Sequence, residues 1–107
     1  MSIEKALIEH IMKVYQSKGV GKFFSINFLE ETDGQFVFEV CFPSDCLNPQ
    51  GNVQGGMITS VLDDCTALCV LFSTKGKRFP NTTDFHTTFH RPLSLEPATI
   101  KASILKI

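Results

Sequence analysis

Asn48-Pro49-Gln50-Gly51-Asn52-Val53-Gln54-Gly55-Gly56-Met57-Ile58-Thr59-Ser60-Val61-Leu62-Asp63-Asp64-Cys65-Thr66-Ala67-Leu68-Cys69-Val70-Leu71-Phe72 is the stretch whose reading decides the fold. It opens as a loop, because Asn, Pro and Gly favour turns over regular elements. After Gly55-Gly56 come about five turns of uninterrupted helix-compatible sequence. Ile58, Val61, Leu62, Cys65, Leu68, Cys69 and Phe72 recur at three- and four-residue spacing, which marks one helical face. Val70 and Leu71 add apolar surface beyond that face, so the C-terminal half of the helix is expected to be nearly all buried. Two adjacent carboxylates, Asp63 and Asp64, stand inside this apolar helix and need an explanation.

Upstream of that helix, Ser2 reads as an N-cap, with Glu4 in the positive first turn of a shorter helix. Ile3, Leu7, Ile11, Val14 and Tyr15 form its apolar stripe, Lys13 and Lys18 suit its negative end, and Gly19 and Gly21 stop it. Phe24, Ile26 and Phe28 alternate with polar residues as in a strand. Asp33-Gly34 is a hairpin turn, since both residues tolerate positive φ. The returning strand presents Phe36, Phe38, Val40 and Phe42 on one face, bulky enough to cover a long helix, and Pro43 ends it.

Downstream, Lys75, Lys77 and Arg78 follow the central helix, where cations complement the dipole or meet anionic phosphates. A third strand is read over residues 82–90, with Thr83, Phe85, Thr87 and Phe89 on one face, broken by Arg91-Pro92. A fourth starts near Ala98 and alternates through Ile100, Ala102 and Ile104 to Ile107. Four strands are few for so apolar a helix, so either the chain is cut short or another subunit completes the sheet at an open edge. The order predicts one α+β domain over residues 1–107, an antiparallel sheet wrapped around a long central helix.

With 107 residues, 43% apolar content and net charge -1, the chain has no basic footprint for nucleic acid. The N-terminus lacks a signal-peptide layout, and the longest charge-free apolar run, Cys65 to Phe72, is too short to span a bilayer. The expectation is a cytoplasmic protein with neither membrane nor nucleic acid as partner. Cys65 and Cys69 on the apolar helix face read as buried, reduced thiols. His86 and His90 would lie roughly 13 Å apart along a strand, too far to share a metal ion. His10, beside Glu9 on the first helix, reads as a surface residue.

The segment from Gly51 to Asp64 carries the chemistry. Gly55 and Gly56 lie where the helix starts, so their N–H groups lack helical partners and a ligand can approach them closely. The dipole suits an oxygen gaining negative charge there, although two glycines also merely permit a tight turn. Asp63 is eight residues on, about 12 Å along the axis, and cannot act at its own helix's N-terminus. Two such helices packed antiparallel about a twofold axis would bring Asp63 of one chain beside Gly55 of the other, giving a dimer with two shared sites.

Asn-x-x-Gly-x-x-Gln-Gly-Gly over 48–56, with Asp63 nine residues after Gln54, resembles the hotdog-fold acyl-CoA thioesterases. It is most similar to the phenylacetate-degradation type and its acyl-CoA thioesterase relatives, in a likeness that runs along nearly the whole chain. The resemblance implies hydrolysis of aryl- or fatty acyl-CoA to free acid and CoA, in a homodimer or dimer of dimers, with no cofactor and no metal. In it Gly55 polarises the thioester carbonyl, Asp63 is the catalytic carboxylate as base or nucleophile, Asn48 lies near the reacting group, and Thr82 helps to hold the water. Gly56, Met57 and Arg91 fall at the substrate, with Met57 and nearby phenylalanines lining an acyl tunnel. Lys75, Lys77, Arg78 or Arg91 would meet the CoA phosphates. Asp64 takes over only if the helix phase differs by one residue, and the family spacing favours Asp63.

Two departures bear on this reading. Gln54 stands where the family usually has His, so an amide can donate a hydrogen bond there but cannot carry a proton. Relatives also continue for one or two further strands. The rival readings are a non-catalytic acyl-CoA or acyl-carrier binding module, and an inactive, truncated homologue.

Overall fold

A computed structural model describes residues 5–17, 19–82 and 85–105; Ser2, Ile3, Glu4, Lys18, Thr83, Asp84 and Ile107, which carried expectations above, lie outside them. Helix α1 spans Lys5–Ser17, strand β1 Ser25–Thr32, strand β2 Gln35–Cys41, helix α2 Gly55–Ser73 and strand β3 Ala98–Ser103. Short 3-10 turns occupy Gly19–Lys22 and Ser44–Cys46. The strands form one antiparallel sheet in the order β1-β2-β3, and α2 packs across it.

The hairpin turns where Asp33-Gly34 stands, with φ of 51° and 81° at the two residues. Both values are positive, as a two-residue turn between right-twisted strands requires. The register pairs Ile26 with Val40 and Phe28 with Phe38, then slips at Leu29, which has no opposite residue before Glu30 meets Val37. This bulge ends the simple alternation of β1 and leaves Leu29 exposed.

The inner face of β2 is as read: Phe36, Phe38, Val40 and Phe42 are all buried. Opposite them α2 buries Val61, Cys65, Leu68, Cys69 and Phe72, while Ile58, Leu62, Val70 and Leu71 are half-buried. Phe72 is the centre of this contact. Its ring centroid lies 5.2 Å from Phe28, 5.6 Å from Phe36 and 6.1 Å from Phe38, within the range where aromatic pairs add to plain area burial. By length and composition the 19-residue α2 is apolar enough to cross a membrane, more than the run from Cys65 alone suggested. Its buried stripe is nevertheless packed on the sheet, and Asp63 and Asp64 stand midway along the helix beside that stripe.

Three expectations are corrected. Residues 81–82 and 85–90 form no strand, and β3 stops at Ser103, so the described sheet has three strands where four were read. A ladder needs a partner edge, and the described part of the segment pairs with neither outer edge of the sheet, β1 or β3. The segment instead runs along α2 and leaves Phe85 and Phe89 substantially exposed. In α1, Val14 is not part of the buried stripe, being 49% exposed; Ile11 is buried, with Leu7, Ile8, Met12 and Tyr15 partly so.

Candidate active site

The loop before α2 is organised by Asn48. Its side-chain carbonyl accepts from the N–H groups of Gln50 at 3.0 Å and Asn52 at 3.1 Å. Its backbone N–H donates to Asn52 O, and its backbone carbonyl accepts from Gly51. Both lone pairs of Oδ1 are thereby used within the loop, so what Asn48 has to offer a ligand is its amide NH2. Gly51, at φ 85°, lets the loop turn back. Gln54 then caps α2 from extended backbone, and its own N–H is spent on Cys46 O.

From there the first turn of α2 is open. Met57 and Ile58 donate back to Gln54 O, whereas the N–H groups of Gly55 and Gly56 have no acceptor among the described residues. Neither glycine has a positive φ, so the turn itself does not demand them. A Cβ at Gly55 would meet the Phe89 ring at 3.5 Å, an ordinary contact. A Cβ at Gly56 would meet Gln54 Oε1 at 3.0 Å, so the Gln54 side chain lies close beside Gly56.

A cleft of about 320 Å³ opens here, with Asn48, Asn52, Gly55, Ile58, Phe89 and Arg91 in its wall. It joins three of the residues singled out above: Asn48, Gly55 and Arg91. Asn52, Ile58, Phe89 and His90 are additional lining that no spacing pattern identified. Met57 is not in this wall; it is half-buried against the core. Lys75, Lys77 and Arg78 follow the opposite end of α2 and share no wall with Arg91.

Farther along α2, the hydroxyl of Thr82 donates to Asp63 Oδ1 at 2.5 Å. Asp63 is half-buried and Thr82 exposed, so the pair sits at the surface of the helix with one face to solvent. The neighbouring Asp64 takes a hydrogen bond from the hydroxyl of Tyr15 in α1. Burial raises the Asp64 carboxyl above the ordinary carboxylate value; the bond from Tyr15 pulls it back, and the charge of Asp63 adds to the rise. Burial chiefly, then the bond to Asp64 and that residue's charge, push the Tyr15 phenol far up. Asp63 and the cleft at Gly55 stay apart within one chain, as the helical rise of about 12 Å between them requires. No group of three or more potential metal-binding side chains occurs among the described residues.

A long helix against an antiparallel sheet, with its N-terminus open to a cleft, defines a hotdog fold. Residues 50–107 match the family described as the thioesterase superfamily, and the protein belongs to it. The same fold occurs in thioesterase superfamily member 2 from Mus musculus, at TM-score 0.76 and 19% identity over 100% of this chain and 77% of that one. It occurs also in a phenylacetic acid degradation-related protein from Ralstonia eutropha JMP134, at TM-score 0.73 and 22% identity, covering 94% and 79% of the two chains. A further protein from the thioesterase superfamily gives TM-score 0.70 and 16% identity, covering 91% and 72%. No curated protein matches the chain at a significant level.

Proposed function

We propose that the protein hydrolyses acyl-CoA thioesters, with an active site shared between two antiparallel α2 helices of a homodimer. Membership of the thioesterase superfamily supports a hydrolase acting on thioesters. The observation that carries the finer reading is the Thr82–Asp63 pair, a carboxylate on an apolar helix that holds a hydroxyl beside it. In this reading a water held beside the Thr82–Asp63 pair, on the other carboxylate oxygen of Asp63, attacks the thioester carbonyl carbon, its proton passing to Asp63. The carbonyl oxygen, gaining charge, takes hydrogen bonds from Gly55 N–H of the other subunit and from the Gln54 amide. As the tetrahedral intermediate collapses the C–S bond breaks, and the sulfur leaves as the CoA thiol after protonation. Asn48 contributes its free amide NH2, and Arg91, in the same cleft as Gly55, meets a phosphate of CoA. The acyl chain runs past Ile58 and Phe89, with Gly56 allowing close approach, and Met57 acts from the core side. The setting proposed is cytoplasmic.

The test is thiol release from aryl, short and long acyl-CoAs by wild type, Asp63→Asn and Gly55→Val. Turnover of at least one thioester by wild type and loss in both variants is expected. Co-refolding the two inactive variants should then restore about a quarter of wild-type activity, because half the molecules would be hybrids with one intact site. No turnover by wild type rejects the hydrolase reading, and no recovery in the mixture rejects the shared site.

A further inference from the structure

Tyr15 is the only tyrosine in the chain, and there is no tryptophan. Although 49 residues away in sequence, its hydroxyl donates to Asp64 Oδ2 and so ties α1 to the middle of α2. The ring is braced. Gly21 passes so close that a Cβ there would collide with the Tyr15 carbonyl oxygen and come within 3.1 Å of ring atom Cε2. The next residue, Gln16, donates its Nε2 to Ile26 O at 2.7 Å and fastens α1 to β1. Tyr15 therefore reaches α2 from a supported position and packs on the core as it does so.

Asp63 and Asp64 are consecutive in one helix, so their side chains leave the axis about 100° apart. At this level α2 is gripped from two directions, by Thr82 on Asp63 and by Tyr15 on Asp64. Two neighbouring carboxylates on a largely apolar helix repel each other, and a donor that holds one of them aside sets which of the two faces the open surface. Gly55 and the cleft residues take no part in this contact.

We propose that Tyr15 is a positioning residue whose hydroxyl holds Asp64 toward α1 and so sets the rotation of α2 that presents Asp63 to Thr82. This rests on the reading of Asp63 as the reacting carboxylate. Asp64 is then an anchor and not a second base.

The test compares Tyr15→Phe, which removes the donor, Asp64→Leu, which removes the acceptor at similar side-chain volume, and the double variant. Each single change should lower kcat about tenfold while KM stays within about twofold, and the double should be no worse than the poorer single. Unchanged kcat in both singles, or losses that multiply, overturns the proposal. A second readout needs no turnover. A hydrogen bond to a carboxylate quenches tyrosine emission, and all such emission here comes from Tyr15. Emission should rise in Asp64→Leu and not in Asp63→Asn. The carboxyl carbon-13 resonance of Asp63, assigned by its loss in Asp63→Asn, should shift in Tyr15→Phe. Emission indifferent to Asp64→Leu, or an Asp63 resonance indifferent to Tyr15→Phe, overturns the proposal whatever the activity. If wild type cleaves no thioester while both spectroscopic responses appear, the hydrolase reading fails and the Tyr15 clamp stands.

Discussion

Thr82 Oγ1 lies 2.5 Å from Asp63 Oδ1, a bond that spans 19 residues and fastens the chain beyond α2 to the middle of that helix. A hydroxyl donated to a carboxylate makes a short, charge-assisted bond. Replacing Thr82 by Val keeps the shape and removes the donor, while Ser keeps the donor. Thr82→Val should lower kcat about tenfold or more, Thr82→Ser should stay near wild type, and Asp63→Asn should lose about 10²–10⁴ in rate. Steady-state thiol release measures all three. Equal activity in Thr82→Val and wild type would remove Thr82 from the site.

Gly55 separates packing from chemistry. A methyl there makes only ordinary contact with the Phe89 ring, and the backbone is not left-handed, so Gly55→Ala should leave thermal stability within about 0.5 kcal/mol of wild type. The same methyl crowds the approach to the exposed N–H, and kcat/KM should fall at least about tenfold. Calorimetry and kinetics on one preparation decide it. A stable, fully active Gly55→Ala would show that no substrate oxygen approaches this N–H.

Phe72 is 1% exposed and its ring meets those of Phe28, Phe36 and Phe38. Phe72→Ala leaves a cavity at the junction of helix and sheet and should cost about 3–5 kcal/mol. Phe72→Leu keeps most of the volume and should cost less than half of that. Urea titration followed by circular dichroism provides the measurement.

The cysteines differ sharply in setting. Burial, helped by the charge of Asp64, pushes the Cys65 thiol up to about 12, and burial also raises Cys46 and Cys69. Cys41 is only half-buried. A thiol reagent at pH 8 should label Cys41 first and the other three only on unfolding. Because the folded Cys65 keeps its proton while the unfolded thiol loses one, its contribution is intact below about pH 8.5 and is lost progressively as pH rises toward 12. The difference in unfolding free energy between wild type and Cys65→Ala should therefore shrink across that window.

Features governed by local chemistry are legible in the residues alone. Helix α2 begins at Gly55 because the loop residues before it cannot propagate a helix and the apolar residues after it recur at helical spacing. Asp33-Gly34 turns the hairpin because those two residues accept positive φ, and the alternation Phe36, Phe38, Val40, Phe42 already specifies the inner face of β2. Each of these depends on neighbours within a few positions.

Features that depend on a distant partner emerge only when the chain is folded. Residues 85–90 alternate like a strand yet form none, since a ladder needs a sheet edge alongside and this segment runs along α2 instead. The bulge at Leu29 arises from pairing register, which a single strand does not encode. Arg91 reaches the cleft of Gly55 while Lys75, Lys77 and Arg78 follow the far end of α2, a division that equal charge conceals. Asp63 and Asp64 look alike in sequence. They become different because Thr82 and Tyr15, one from each side of the helix, each supply one of them with a hydroxyl.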